Sequence, residues 1–213
     1  MTAHGIFITL EGGEGSGKST QIRLLAESLK AQGYDVVITR EPGGTPEAEK
    51  IRDFLVKRDG GNWTPMAECL LLYAARQMHV ENLIKPALAQ GKVVISDRFA
   101  DSTRAYQSFG HGLPLQTIEQ LNNISLGDFA PDLTFILDLP VEVGLGRAGK
   151  RMAKDQSQED RFERLGDSFH ERLRKGYLEI AKRDSARCVV IDATRSIQDI
   201  SHDLLSHVQE KLA

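Results

Sequence analysis

The residues from Gly12 to Thr20, Gly-Gly-Glu-Gly-Ser-Gly-Lys-Ser-Thr, fit the spacing Gly-x-x-x-x-Gly-Lys-Ser/Thr that cradles phosphate. Backbone N–H groups must press against phosphate oxygens, and side chains at Gly12, Gly15 and Gly17 would block that approach or forbid the positive-φ turns it needs. Lys18 then reaches the β and γ phosphates as a point charge. Ser19 offers a hydroxyl to Mg²⁺, and a helix starting near Lys18 aims the positive end of its dipole at the anion. The bland alternative is a glycine-rich turn between two elements. Context favours phosphate binding, because the apolar run Ile6 to Leu10 supplies a strand before the loop, and Ile22, Leu25, Ala26 and Leu29 recur at helical spacing after it.

Other candidate groups sit where further strands end. Val36, Val37 and Ile38 make a second buried strand that runs into Arg40-Glu41-Pro42-Gly43-Gly44-Thr45. Val93 to Ser96 make a third and deliver Asp97 and Arg98, and open parallel sheets collect ligands at such carboxyl ends. Asp97 suits either Mg²⁺ through water or a hydrogen bond; Arg98 suits a transferring phosphoryl group, with an Asp-Arg ion pair as the structural alternative. Arg52 lies off the apolar stripe of a helix around residues 48–55 and faces either a ligand or water. Arg76 closes the apolar run Leu70 to Ala75, which implies a helix buried on several sides, and needs either a ligand phosphate or an internal carboxylate. Ser102, Thr103, Tyr106 and Gln107 carry hydroxyl and amide groups suited to reading a base.

The remaining pattern supplies the supports. Thr64-Pro65 starts a long helix towards Leu88, with Pro86 expected to kink its end. Gly110 and Gly112 loosen the chain before a helix bearing Ile118, Leu121 and Ile124. Leu133 to Asp138 and Cys188 to Asp192 read as the fourth and fifth strands. Arg147, Lys150, Arg151 and Lys154, followed by polar residues to Asp160, read as a cationic lid over about 147–160, because phosphoryl transfer spreads charge that arginines on a closing segment stabilise. Leu165, Phe169, Leu173, Tyr177 and Ile180 form a stripe of ordinary core packing. Ser196 caps a final helix.

With 213 residues the chain suits one α/β domain, and a net charge of −3 argues against a polyanion-binding surface while allowing a local site for small phosphorylated ligands. Cys69 and Cys188 have no zinc spacing and read as buried thiols. No signal peptide or membrane span is evident, so a cytoplasmic protein is expected. Alternating strands and helices with the phosphate loop after the first strand predict a P-loop NTPase-like three-layer fold, a mostly parallel sheet with helices on both faces. Such a site bridges two anionic ligands through Mg²⁺, as in ATP-dependent phosphorylation of a small molecule. A nucleotide-dependent switch is the alternative of another class, although no Asn-Lys-x-Asp guanine-reading motif is present.

The sequence resembles the thymidylate kinases over nearly its whole length, in the stretch from Glu11 to Thr20, in Arg40 to Thr45, in Leu71 to Arg76 (Leu-Leu-Tyr-Ala-Ala-Arg), in Asp97-Arg98-Phe99, in Ala105-Tyr106-Gln107 and in Asp160-Arg161-Phe162-Glu163. The resemblance implies a five-stranded parallel core, phosphorylation of dTMP by Mg²⁺-ATP, and a homodimer. It places Gly13, Glu14, Gly15, Ser16, Gly17, Lys18, Ser19 and Thr20 on the donor phosphates, with Ala193 and Arg195 beside the adenine. Glu14 falls near the acceptor 3′-hydroxyl, Arg52 and Arg98 on its phosphate, and Arg76 and Gln107 on thymine. Pro42, Thr103 and Tyr106 belong to the same dTMP site, and Asp97 orients Mg²⁺ and its waters. The loop carries no arginine while the flap carries Arg147 and Arg151, which resembles the bacterial subtype that supplies catalytic arginine from the lid, Arg151 first. Two departures stand out: Leu72 replaces a phenylalanine that stacks on thymine in many relatives, and Ser108-Phe109-Gly110-His111-Gly112 replaces a segment richer in glycine. Another nucleoside monophosphate is the alternative acceptor.

Overall fold

The computed structural model describes residues 5–57, 61–155, 161–162 and 165–212, with 151–155 described by backbone course alone. Five strands form one parallel sheet in the order β2-β3-β1-β4-β5: β1 (Ile6–Glu11), β2 (Val36–Arg40), β3 (Val93–Asp97), β4 (Leu133–Asp138) and β5 (Cys188–Asp192). These match the five apolar runs of the sequence. β1 sits at the centre, and its period of two sends Ile6, Ile8 and Leu10 to one face and Phe7, Thr9 and Glu11 to the other; all six are buried.

One face is covered by α1 (Lys18–Ala31) and α9 (Ile197–Leu212), through Leu25, Leu29, Leu204 and Val208. Three further helices are α2 (Pro46–Val56), α3 (Pro65–His79) and α4 (Lys85–Ala89). They precede α5 (Ala100–Thr103), α6 (Leu115–Leu126), α7 (Val141–Asp155) and α8 (Asp167–Arg183). The other face of the sheet packs Phe7, Val94 and Phe99 against Val80 and Ile84, and Ile136 against Leu173 and Tyr177 of α8. Thr64 caps α3 by accepting from the Ala67 N–H, and Ser196 does the same for Asp199 at the start of α9.

Four expectations change. The long helix towards Leu88 is interrupted by a π turn at Val80–Ile84 before α4; Pro86 cannot donate to the Asn82 carbonyl, and the wider turn precedes it. Nor is α3 buried on several sides: Leu70 and Ala74 are exposed, as are Met66 and Met78 one turn to either side. Gly110 does not loosen the chain. It ends a π turn over Arg104–Gly110, and a Cβ there would stand 2.5 Å from the Phe169 ring, so glycine lets α8 approach. Ile124 is 81% exposed and lies outside the core. The basic segment after Arg147 continues α7 as helix to Asp155; residues 156–160 of the expected lid lie outside the described residues.

Candidate active site

The carboxyl ends of β1, β2 and β3 and the loop before α1 enclose a cavity of about 710 Å³. Sequence and geometry agree on the loop: Gly17, at φ 93°, turns the chain so that α1 starts at Lys18. Gly15 has a second reason to be glycine. At φ +69° its Cβ would stand 2.1 Å from the Gly144 carbonyl of α7, so the loop is pressed against the helix that carries Arg147. Lys18 Nζ folds onto its own loop, donating to the carbonyls of Gly12 (3.2 Å) and Gly13 (3.1 Å). Burial, and then the neighbouring Arg98 charge, lower its pKa. Ser19 Oγ donates to Asp97 Oδ2 at 3.2 Å, which brings together the hydroxyl and carboxylate expected to share a cation.

Arg98 is the hub. Its Nη1 donates to Gly12 O (3.0 Å), Ser102 Oγ (3.2 Å) and Tyr177 OH (3.0 Å), and its Nη2 to Glu14 Oε1 (2.9 Å). Tyr106 OH donates to the same Glu14 oxygen at 2.6 Å. Arg98 also has φ +71°, strained for a non-glycine residue, and its surroundings over-determine that backbone. Its N–H bonds Leu10 O, its carbonyl accepts from Ser96 Oγ, and Glu11 pins the next residues by accepting from Phe99 N (2.8 Å) and Ser102 Oγ (2.5 Å). Burial, and then the Asp101 charge, push the Glu11 carboxyl up to about 7.

The other wall holds an orphan donor and an orphan acceptor. Arg76, 2% exposed, donates through Nε to Glu41 Oε2 (2.7 Å) and through Nη2 to Phe99 O (3.1 Å) and Thr103 Oγ1 (2.9 Å). Its charge is therefore answered by an internal carboxylate, and Nη1 has no partner among the described residues. Glu41 is fixed in turn by His79 Nδ1 at 3.0 Å, and Gly44 (φ +87°) leaves room for that ring, since a Cβ there would meet it at 2.5 Å. Gln107, 1% exposed, donates through Nε2 to Glu68 Oε1 (2.6 Å), leaving Oε1 without a partner among the described residues. Arg52 Nη1 donates to Pro42 O at 2.9 Å, and both residues line the cavity with Leu72 and Phe162, whose ring meets Tyr106 edge-on at 5.2 Å.

Of the predicted positions, Glu14 to Thr20, Pro42, Arg52, Leu72, Arg76, Asp97, Arg98, Thr103, Tyr106, Gln107 and Arg147 all line this cavity. Gly13 borders a smaller neighbouring hollow. Ala193 is buried with its carbonyl 3.4 Å from Arg147 Nη1, and Arg195 pairs with Asp203 at 2.5 Å; neither lines the cavity. The Arg151 side chain lies outside the described residues. Sequence reasoning missed Glu11, Glu41, Glu68 and Tyr177. The first three were visible as acids embedded in apolar or turn segments, whereas Tyr177 was hidden in a core stripe.

A phosphate loop, a carboxylate on that loop held by an arginine from the neighbouring strand, and a base-sized polar wall in one cavity define a nucleoside monophosphate kinase of the P-loop class. The model of the family described as thymidylate kinase matches residues 10–204. The thymidylate kinase of Caulobacter vibrioides is 54% identical over 208 residues, 98% of each chain, and that of Trichlorobacter lovleyi 47% over 209 residues, 98% of this chain and 99% of the other. The crystal structure of thymidylate kinase from Ehrlichia chaffeensis superposes with a TM-score of 0.76 at 37% identity, covering 96% of this chain and 98% of that one. The chain belongs to the thymidylate kinase family, and its activity is the family's, ATP-dependent phosphorylation of dTMP.

Proposed function

We propose that this cavity transfers the γ-phosphoryl group of ATP to dTMP in line, with the loop as donor site and the Arg76–Gln107 wall as acceptor site. The observation that carries the acceptor assignment is the orphan pair: Arg76 Nη1 is a donor and Gln107 Oε1 an acceptor, both buried at the cavity. Thymine offers the complement, an O4 acceptor beside an N3–H donor. Cytosine presents the reverse pattern and would leave both protein groups unsatisfied. Leu72 and Phe162 supply apolar surface for the ring, and Arg52 and Arg98 meet the acceptor phosphate.

Glu14, bonded to Arg98 and Tyr106, orients the sugar end of the acceptor against the loop. The loop N–H groups and Lys18 hold the donor phosphates; Lys18 leaves its own loop carbonyls to do so. Arg147 and Arg151 on α7 stabilise the charge spread over the transferring group, and Ala193 to Arg195 flank the adenine. Ser19 Oγ and Asp97 fit Mg²⁺, a hard cation that takes few protein oxygens and keeps water and phosphate ligands; when bound, the ion neutralises charge on the bridging phosphates.

The exposed stripe of Met66, Leu70, Ala74 and Met78 on α3 supports assembly as a homodimer. The phosphorylated metabolites it uses and two free buried thiols support work in the cytoplasm as one kinase domain with its lid near 147–160. The test is an acceptor panel of dTMP, dUMP, dCMP and dGMP with ATP, read as ADP release. Selective turnover of dTMP is expected. Equal turnover of dCMP would overturn the base assignment, and ADP release that ignores every acceptor would make the protein a nucleotide-dependent switch.

A further inference from the structure

Gln107 can serve as an acceptor only if its amide is held in one of two orientations that differ by a half-turn. A neutral amide has no intrinsic preference between them, so the neighbour that removes the choice is part of the recognition. That neighbour is Glu68, in the first turn of α3, 1% exposed and distant from the reacting phosphates in sequence and function. Its Oε1 accepts from Gln107 Nε2 at 2.6 Å, and its Oε2 accepts from Arg161 Nη1 at 2.5 Å. Both carboxylate oxygens are thus committed, and His111 Nε2 lies 3.9 Å from Oε1, too far to replace the amide. A carboxylate only accepts, so it must face the amide nitrogen. The carbonyl is left without a partner among the described residues, on a buried side chain that borders the cavity.

From this geometry we infer that Glu68 is a positioning residue that fixes the polarity of Gln107 and so selects bases bearing N3–H beside O4 over bases with the opposite edge. The inference rests on the base reading given under the proposed function, and it separates two kinds of selectivity. Thymine and uracil share this edge, so Glu68 contributes nothing between them; cytosine differs, and discrimination against it depends on Glu68. Arg161 contributes the counter-charge that makes burying the carboxylate tolerable, and it also donates to Leu55 O.

The experiment compares wild type with Glu68→Gln, whose amide accepts either orientation of Gln107. In wild type, kcat/KM for dTMP and dUMP should both exceed that for dCMP. In Glu68→Gln, kcat/KM for dTMP should fall roughly tenfold, carried by KM, as expected for loss of one oriented hydrogen bond. The dTMP-to-dCMP ratio should fall with it while the dTMP-to-dUMP ratio stays unchanged. Adding Gln107→Leu should absorb the effect, so that Glu68→Gln costs nothing further in that background. A uniform loss for all three acceptors, or an undiminished cost without Gln107, would show Glu68 to be merely structural and overturn the inference. A wild type that does not prefer dTMP and dUMP over dCMP would instead sink the base reading itself, and the inference with it. Should Glu68→Gln fail to fold because Arg161 is left unpaired, Glu68→Gln with Arg161→Met removes the pair whole and carries the same ratios.

Discussion

The two halves of the cavity that we assign to donor and acceptor are built in opposite ways. Around the loop, recognition comes from backbone: Gly17 sets the turn, α1 begins at Lys18, and Lys18 itself rests on carbonyls of its own loop. Across the cavity, recognition comes from side chains, each held by another from a distant element. Glu41 holds Arg76, Glu68 holds Gln107, and Arg98 with Tyr106 holds Glu14. The donor half is a local device that any triphosphate can use. The acceptor half is pre-ordered before the ligand arrives, so that binding energy is not spent on arranging it. Changes in the first half should therefore cost rate, and changes in the second should cost affinity and choice.

The largest expected effect tests the donor half. Lys18→Ala should lower kcat by roughly a thousandfold or more, since Arg98 and Arg147 line the same cavity but neither lies on the loop that cradles the β and γ phosphates. Binding of dTMP alone, measured by calorimetry, should stay within about threefold, because uniform binding is untouched. Retained turnover in the purified variant would remove the loop from the centre of the reaction. Next comes Arg151→Ala, for which kcat should fall about a hundredfold and the KM for dTMP far less. The reverse pattern would assign Arg151 to the acceptor half and blur the contrast.

This contrast also explains how much the sequence disclosed. The loop from Gly12 to Thr20 is legible because its phosphate-binding groups are contiguous, and the strand and helix that hold it flank it directly. The five strands were legible for the same reason, as short contiguous apolar runs. β1, β3 and β4 are buried on both faces, whereas the edge strands β2 and β5 leave Ile38 and Val190 exposed, so the run Val36 to Ile38 is a strand but not the buried one expected. The acceptor half is assembled over long separations: Gln107 lies 39 residues from Glu68, and Arg98 lies 79 from Tyr177. No local period reports such pairs. Tyr177 reads as core because its ring is core, while its hydroxyl works at the site. Helical spacing likewise does not register the π turns at Val80–Ile84 and Arg104–Gly110, and the second of these carries Tyr106 and Gln107.

Glu11 offers a pH test of how firmly the acceptor half is set. Its carboxyl, pushed up to about 7 by burial and by Asp101, is protonated in the fold at acidic pH, whereas the unfolded chain loses that proton near the ordinary 4.5. The resulting stabilisation is complete below about 4.5 and is lost as pH rises through about 7, on the order of 3 kcal/mol in all. Glu11→Gln removes this dependence. Denaturant unfolding should therefore show wild type losing about 3 kcal/mol relative to the variant between about pH 4.5 and about pH 8. A constant difference would mean that Glu11 is ionised throughout and that its three donors, not a proton, hold it.

The smallest effect belongs to Tyr177→Phe, and it discriminates most finely. Removing the hydroxyl takes one acceptor from Arg98 Nη1, which still donates to Gly12 O and Ser102 Oγ while Nη2 keeps Glu14. It also takes one donor from Glu11 Oε2 at 3.4 Å, where Ser102 Oγ remains at 2.5 Å. With its other contacts intact, Arg98 should shift only slightly, raising the KM for dTMP roughly two- to fivefold with kcat nearly constant. A fall in kcat of a hundredfold at unchanged KM would mean that this hydroxyl aims Arg98 at the transferring phosphoryl group. Arg98 would then belong to both halves, and the division between a donor half that sets rate and an acceptor half that sets choice would run through that one guanidinium.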